Sequence, residues 1–333
     1  MKTFNMALVG CGVISANHLN AVSKLNNVKV VALCDVEPER AEARREKFSL
    51  DCSIYTNYYE MLESEKLDAV HITTPHYLHF PMAKAALEKG INVFLEKPAC
   101  ISNAELDELM RIEKESSAKL CVSFQTRYNP ATQLAKKIAA EDGGVLRAYA
   151  SLFWNRDNAY YATGSWRGRM ETEGGGVLIN QAIHTLDFIC CLMGKPVSVI
   201  ASTSNHCLDK TKYDVEDTAD GLVRFENGTT ANFYATNSFP GNDNVSVVFY
   251  TKNHRVEVQS NKIYLDGYMI NDPSLSAVYY GKQVYGNGHE CLIAKYYEAL
   301  ENDTPVPIDL EGSQDPLRLL LAVYASNNKE TPV

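Results

Sequence analysis

Several absences bound this 333-residue chain before any motif is read. No apolar run is long enough to cross a bilayer, so no membrane partner is expected. Positive charge is in deficit: 32 Lys and Arg against 41 Asp and Glu leave a formal net charge of −9. That balance disfavours nucleic acid and anionic membranes. The nine cysteines contain no CxxC pair, and the closest are the adjacent Cys190 and Cys191. An odd number set in apolar patterns, as at Cys34, Cys121 and Cys190, reads as reduced core residues of a cytoplasmic protein. The opening MKTFNMALVG lacks signal-peptide shape, because its apolar segment runs directly into glycines. Neither an internal repeat nor a low-complexity segment is visible. What remains is ordinary globular composition, 45% hydrophobic and 22% charged, with length enough for two cores.

The first third alternates strand and helix patterns. Strands are expected over 5–9, 28–34, 54–56, 67–73, 91–95 and 120–124. Helical patterns lie between them at 14–25, 39–48, 58–63 and 79–88, and a capping box at 102–105 opens another. Such alternation predicts βαβ units in a doubly wound parallel sheet, a Rossmann-type α/β domain over 1–123. After about residue 125 the texture changes. A helix from Pro130, a long strand over 145–154, an irregular segment over 155–176 and a helix over 177–193 are followed by a strand meander. Asn227-Gly228 marks one hairpin turn in it. Two helices, 289–300 and 313–325, close the chain. The reading is a second, α+β domain over 124–333 with an open, mostly antiparallel sheet.

Gly10-Cys11-Gly12-Val13-Ile14-Ser15 joins the first strand to the first helix and fits G-x-G-x-x-G with serine in the last place. The first glycine permits a tight turn. The second lets backbone approach a pyrophosphate, and the helix start supplies unpaired N–H groups. Asp35 closes the second strand about twenty residues on, where a carboxylate can accept from a ribose 2′-hydroxyl. Glu37 follows it, so a 2′-phosphate would meet negative charge; NAD is expected rather than NADP. Ligands of open α/β sheets bind beyond the carboxyl ends of the strands. Thr73, Thr74 and Pro75 therefore line the cofactor channel, with His79 at the next helix start, and Glu96-Lys97 emerge at the cleft edge. Gln125 follows the sixth strand and borders the same cleft. In the second domain, Gly174-Gly175-Gly176 lead into a helix on which Asn180 and His184 share a face at i,i+4. Each taken alone reads as a surface or structural residue; the glycine triplet, which permits close approach of a ligand, favours function. No metal site is expected: His76 and His79 have no carboxylate or cysteine at suitable spacing.

The stretches VGCGVIS, ITTPHYLH, FLEKPA and GGGVLINQAIHTLD, in this order, resemble the glucose–fructose oxidoreductase / inositol dehydrogenase (Gfo/Idh/MocA) family. SWRG at 165–168, VEDTADGLVRFENGTT at 215–230 and GNGHE at 286–290 extend the likeness along the whole chain. The resemblance implies NAD(P)-dependent hydride transfer on a carbohydrate or cyclitol, and a homodimer or homotetramer built on the open sheet. It makes Lys97 and His184 the acid/base pair, with Glu96 positioning the lysine. The family commonly has aspartate where this chain has Asn180, which cannot take up a proton and can only orient substrate or His184. Trp166 and Arg167 are implied to reach the cofactor. Asn155, Tyr160 and the loop around Tyr280 are read as contacts to the sugar. Two alternatives stay open: a redox-assisted lyase or glycosidase that recycles bound NAD, and a non-catalytic NAD-binding regulator.

Overall fold

The computed structural model describes residues 2–243, 245–275 and 286–333. Tyr279, Tyr280 and Tyr285 therefore lie outside the described residues. The chain forms two compact units, one of Met1–Gln125 with Asn287–Ser313, the other of Thr126–Gly286 with Gln314–Val333.

In chain order the first unit builds β1 (Phe4–Val9), α1 (Ser15–Val22), β2 (Val28–Cys34), α2 (Pro38–Lys47), β3 (Ser53–Tyr55), α3 (Tyr58–Ser64), β4 (Ala69–Ile72), α4 (His79–Glu88), β5 (Asn92–Glu96), α5 (Asn103–Glu115) and β6 (Leu120–Ser123). The six strands pair in parallel in the order β3-β2-β1-β4-β5-β6. The order reverses at β1, so β4 pairs on its other side from β2. That switch point is where doubly wound sheets hold their ligands. All four residues of β4 are buried, as are the last four of β5, because helices cover both faces of a parallel sheet. Asn57 and Ser102 cap α3 and α5 with their side chains.

The second unit contains α6 (Pro130–Glu141), β7 (Arg147–Phe153), the short α7 (Asn158–Tyr161), α8 (Ile183–Met193), β8 (Pro196–Ser204), β9 (Thr218–Phe225), β10 (Thr230–Thr236), β11 (Ser246–Tyr250), β12 (Arg255–Gln259), β13 (Lys262–Leu265) and β14 (Tyr268–Met269). The chain then makes α9 (Gly288–Glu301), α10 (Leu310–Ser326) and β15 (Thr331–Pro332). The sheet runs β14-β13-β12-β11-β7-β10-β9-β8-β15. Every pair is antiparallel except β10 with β7. Alternation along β7 and β10 buries Ala148, Ala150, Leu152, Ala231, Phe233 and Ala235, and leaves Tyr149 and Tyr234 exposed on the other face, as is Tyr250 of β11.

Two expectations change. The helix predicted over 177–193 opens with a π-helical turn, Leu178–Ala182, before α8 begins. The segment Asn287–Ser313, read as part of the second domain, packs in the first unit. Its Tyr296 and Tyr297 are buried there against Phe94 and Phe4 at 5.2 and 5.6 Å between ring centres. Burying two large rings outweighs their distance in sequence.

Candidate functional site

The glycine loop is fixed from beneath. Gly10 N–H donates to Cys34 O at 2.8 Å, and Cys11 N–H donates to Asp35 Oδ2 at 2.7 Å. Asp35 Oδ1 accepts from Glu37 N–H at 3.0 Å, so one carboxylate fastens both the loop and the turn after β2. Gly10 adopts φ +86°, and a Cβ there would stand 2.7–2.8 Å from the backbone of Thr73 and Thr74. Thr73 Oγ1 donates back to Gly10 O at 2.5 Å. By contrast, nothing lies within 4 Å of a Cβ built on Gly12. Val13 at the tip is 80% exposed, and Ile14 precedes α1. Arg44 of α2 was not anticipated: its Nη2 donates to Gly12 O at 2.7 Å and its Nε to Ser15 Oγ at 2.9 Å, bracing the loop from the side.

At the strand ends, Thr74 and Pro75 are half-buried, while His79 is buried. His79 Nδ1 lies 2.6 Å from Pro98 O and Nε2 2.9 Å from Thr74 O. The ring thus ties the turn after β4 to the turn after β5. Lys97 follows β5 directly, half-buried, with a cis bond to Pro98. Gln125 is buried, and its Oε1 has no hydrogen-bond partner among the described residues.

Glu96 faces into the unit. His18 Nε2 lies 3.0 Å from its Oε1, His289 Nε2 of α9 lies 3.4 Å from the same atom, and His18 Nδ1 meets His71 Nδ1 at 3.1 Å. His71 Nε2 meets Tyr297 OH at 3.0 Å. Burial would raise the Glu96 carboxyl, but the bonds from His18 and His289 outweigh it and hold it well below the carboxylate range. Burial pushes His18 and His71 down, so both rings are neutral. One assignment satisfies this chain: Tyr297 O–H donates to His71, His71 Nδ1–H to His18, and His18 Nε2–H to Glu96. The carboxylate needs the donor, not a charge on the ring. His18, Glu96 and His289 bring ligand atoms within 4.8 Å of one another, and the 3.0 Å His18–Glu96 contact is a hydrogen bond. Sequence reasoning missed this network because His18, His71 and His289 stand singly and far apart in the chain.

In the second unit, the helix carrying Asn180 and His184 is capped by one buried acid. Glu216 accepts from Gly176 N–H and Leu178 N–H, both at 2.9 Å, and from Tyr324 O–H at 3.0 Å. Its own carbonyl takes Val177 N–H at 3.2 Å. Burial raises the Glu216 carboxyl to about 7 against these donors. The triplet has to be glycine: a Cβ on Gly176 would overlap Glu216 O, and one on Gly175 the Tyr324 hydroxyl. Asn180 and His184 are half-buried. Asn180 Nδ2 reaches buried Glu173 at 2.5 Å and Tyr160 OH at 3.4 Å. Arg167 pairs with Glu173 at 3.3 Å, its guanidinium 4.4 Å from the Trp166 ring centre and 4.9 Å from that of Tyr160. Asn155 is exposed and donates to Phe239 O at 2.8 Å, which fixes the neighbouring loop. Arg127 is committed to a buried pair with Asp187 of α8 at 2.6 Å.

The sheet order, the glycine loop at its switch point and Asp35 define a dinucleotide-binding Rossmann unit joined to a mixed-sheet α+β unit. The residues fit such a cofactor: Gly12 leaves open space at the helix start, and the buried Gln125 Oε1 offers an acceptor. Residues 4–124 match the family profile described as oxidoreductase family, NAD-binding Rossmann fold, and residues 132–258 match the GFO/IDH/MocA C-terminal domain. The chain belongs to the Gfo/Idh/MocA family. Its sequence is 28% identical over 233 residues to D-apiose dehydrogenase of Paraburkholderia graminis, covering 69% of this chain and 60% of that protein. It is 32% identical over 197 residues to 2,7-anhydro-N-acetylneuraminate hydratase of Mediterraneibacter gnavus, covering 58% and 50%. The chain thus spans half to three-fifths of these curated relatives. Among solved structures, the WlbA dehydrogenase from Bordetella pertussis in complex with NADH and UDP-GlcNAcA superposes with a TM-score of 0.89 at 26% identity, covering 100% of this chain and 98% of that one.

Proposed function

We propose that the protein is an NAD-dependent dehydrogenase that interconverts a secondary hydroxyl and a ketone on a sugar, sugar derivative or cyclitol. The observation that carries this reading is the placement of Lys97. It follows β5 of a sheet whose order β1-β4-β5 sets it two strands from the open glycine loop. Gly12, the α1 N-terminus and Asp35 would hold the dinucleotide, and Thr73, Thr74, Pro75 and Gln125 would line its path. Asp35 followed by Glu37 favours a free ribose 2′-hydroxyl, hence NAD over NADP. When bound, the nicotinamide supplies the hydride acceptor or donor. The chain's own residues handle the proton. A neutral His184 ring nitrogen takes it from the hydroxyl, Lys97 Nζ donates a hydrogen bond to the same oxygen and stabilises the carbonyl that develops, and Asn180 orients the ring.

The test is oxidation of a panel of sugars, cyclitols and sugar nucleotides with NAD, followed by NADH absorbance and product analysis. Lys97→Ala and His184→Ala are each expected to lower kcat by roughly 10²–10⁴-fold while NAD affinity stays near wild type. Turnover comparable to wild type in both variants removes the two roles. The similarity to a protein named a hydratase supports a second reading, in which oxidation is transient and a bond is cleaved. Product formation without accumulation of NADH would select it.

A further inference from the structure

The last place of the glycine fingerprint holds Ser15, and its hydroxyl closes a ring of hydrogen bonds. Ser15 Oγ donates to Gly12 O at 2.5 Å and accepts from Arg44 Nε at 2.9 Å, while Arg44 Nη2 donates to the same Gly12 O at 2.7 Å. Ser15 is fully buried and Arg44 half-buried. Two donors thus occupy the two lone pairs of the Gly12 carbonyl and hold it towards the α2 arginine. The Gly12–Val13 peptide is trans, so its N–H, on Val13, points the opposite way from that carbonyl. Gly12 itself has open space around its Cα for an approaching ligand.

We propose that Arg44 is a positioning residue for the diphosphate of a bound dinucleotide, acting through Ser15 and Gly12. A carbonyl oxygen repels an anion and an N–H attracts one, so the orientation of this one peptide decides whether the loop accepts a phosphate. Arg44 pins the orientation that turns the oxygen aside, and it brings a permanent positive charge to the loop. The fork of the guanidinium matters as well as the charge. It reaches Gly12 and Ser15 from two nitrogens of one rigid plane, which the single nitrogen of a lysine does not. Serine in the last place is on this account the partner of Arg44 and more than a small substitute for glycine. The inference rests on the NAD-binding part of the reading above and needs nothing from the substrate side.

The test is calorimetric titration of the full chain with NAD and with ADP-ribose, which carry the diphosphate, beside ligand-observed NMR with adenosine, which does not. The variants are Arg44→Ala, Arg44→Lys, Ser15→Ala and the double variant Arg44→Ala with Ser15→Ala, each also melted without ligand. Arg44→Ala is expected to weaken NAD and ADP-ribose by roughly tenfold or more and to leave adenosine within about twofold of wild type. Arg44→Lys keeps the charge and loses the fork, and is expected to fall between wild type and Arg44→Ala. Ser15→Ala is expected to weaken NAD on its own and to add little to the loss from Arg44→Ala, because both changes sever one ring. Wild-type affinity for NAD in either Arg44 variant would overturn the proposal and leave the NAD reading standing. So would full additivity in the double variant. An equal loss for adenosine and NAD would make Arg44 a support of the fold, and the proposal would fall on that result too. If the wild type bound neither NAD nor ADP-ribose, the NAD reading itself would fall and this inference with it.

Discussion

Two glycines of one loop do different work, and the difference lies in a few tenths of a nanometre. Gly10 holds a backbone conformation that side chains rarely adopt, and a Cβ would press on the carbonyl and nitrogen of the strand beside it. Backbone cannot step aside as a side chain end can. Gly10→Ala is therefore expected to destabilise the first unit by about 3 kcal/mol, from left-handed strain plus the clash, seen as a lower melting temperature with or without NAD. Gly12 has open space around it, and alanine there costs folding little. Gly12→Ala is expected to melt like the wild type and to bind NAD at least about tenfold more weakly, because the methyl occupies room needed for close backbone approach. Calorimetric titration with NAD and a thermal melt on each variant separate the two. If Gly12→Ala bound NAD as tightly as wild type, the loop would not be the pyrophosphate site.

At the scale of the element, the helix bearing Asn180 and His184 depends on an acid from another part of the chain. Glu216 takes three N–H groups of its first turn, two through the carboxylate and one through the main chain. Removing the side chain strands Gly176 N–H and Leu178 N–H in the interior, so Glu216→Ala is expected to cost about 2–4 kcal/mol. Glu216→Gln keeps an acceptor and removes the titration. The folded carboxyl stands at about 7, above the ordinary value near 4.5. Its contribution is thus fully present below about 4.5 and lost as pH rises through about 7, an effect of roughly 2–3 kcal/mol. The glutamine variant should gain stability relative to wild type as pH rises from 5 to 8, whatever its constant offset. Parallel melting curves across that range would show that Glu216 is ionised in the fold throughout. None of this was legible in sequence, where 215–230 reads as strand and hairpin. Elements announced by local periodicity were read well: β2 and α4 fall where the pattern put them. The π turn at Leu178–Ala182 was not, and its first turn is capped by an acid forty residues away; the parallel pairing of β10 with β7 has no local signature at all.

For the whole molecule, the unreadable feature was the return of the chain to its first unit. Hydrophobic spacing announces a helix at 289–300 but not which core it joins. The answer lies in residues that are silent alone: Tyr297 on His71, His289 on Glu96, and the Ile308 carbonyl that takes Val122 N–H of β6 at 2.9 Å. The family profile for the first domain ends at residue 124, yet the unit ending there would lack these partners. Phe4, Phe94 and His71 would lose the rings packed on them, and Glu96 would keep its buried charge with one donor fewer. A fragment of residues 1–125 is therefore expected to lack a cooperative thermal transition and to bind NAD weakly or not at all. The same fragment joined through a flexible glycine–serine linker to residues 287–313 is expected to melt cooperatively and bind NAD. Circular dichroism melts and calorimetric titration on the two fragments decide the matter. If 1–125 alone melted cooperatively and bound NAD as the linked fragment does, α9 would be an appendage rather than part of the nucleotide-binding core. If only the linked fragment did so, the histidine network around Glu96 would belong to the fold that presents Lys97.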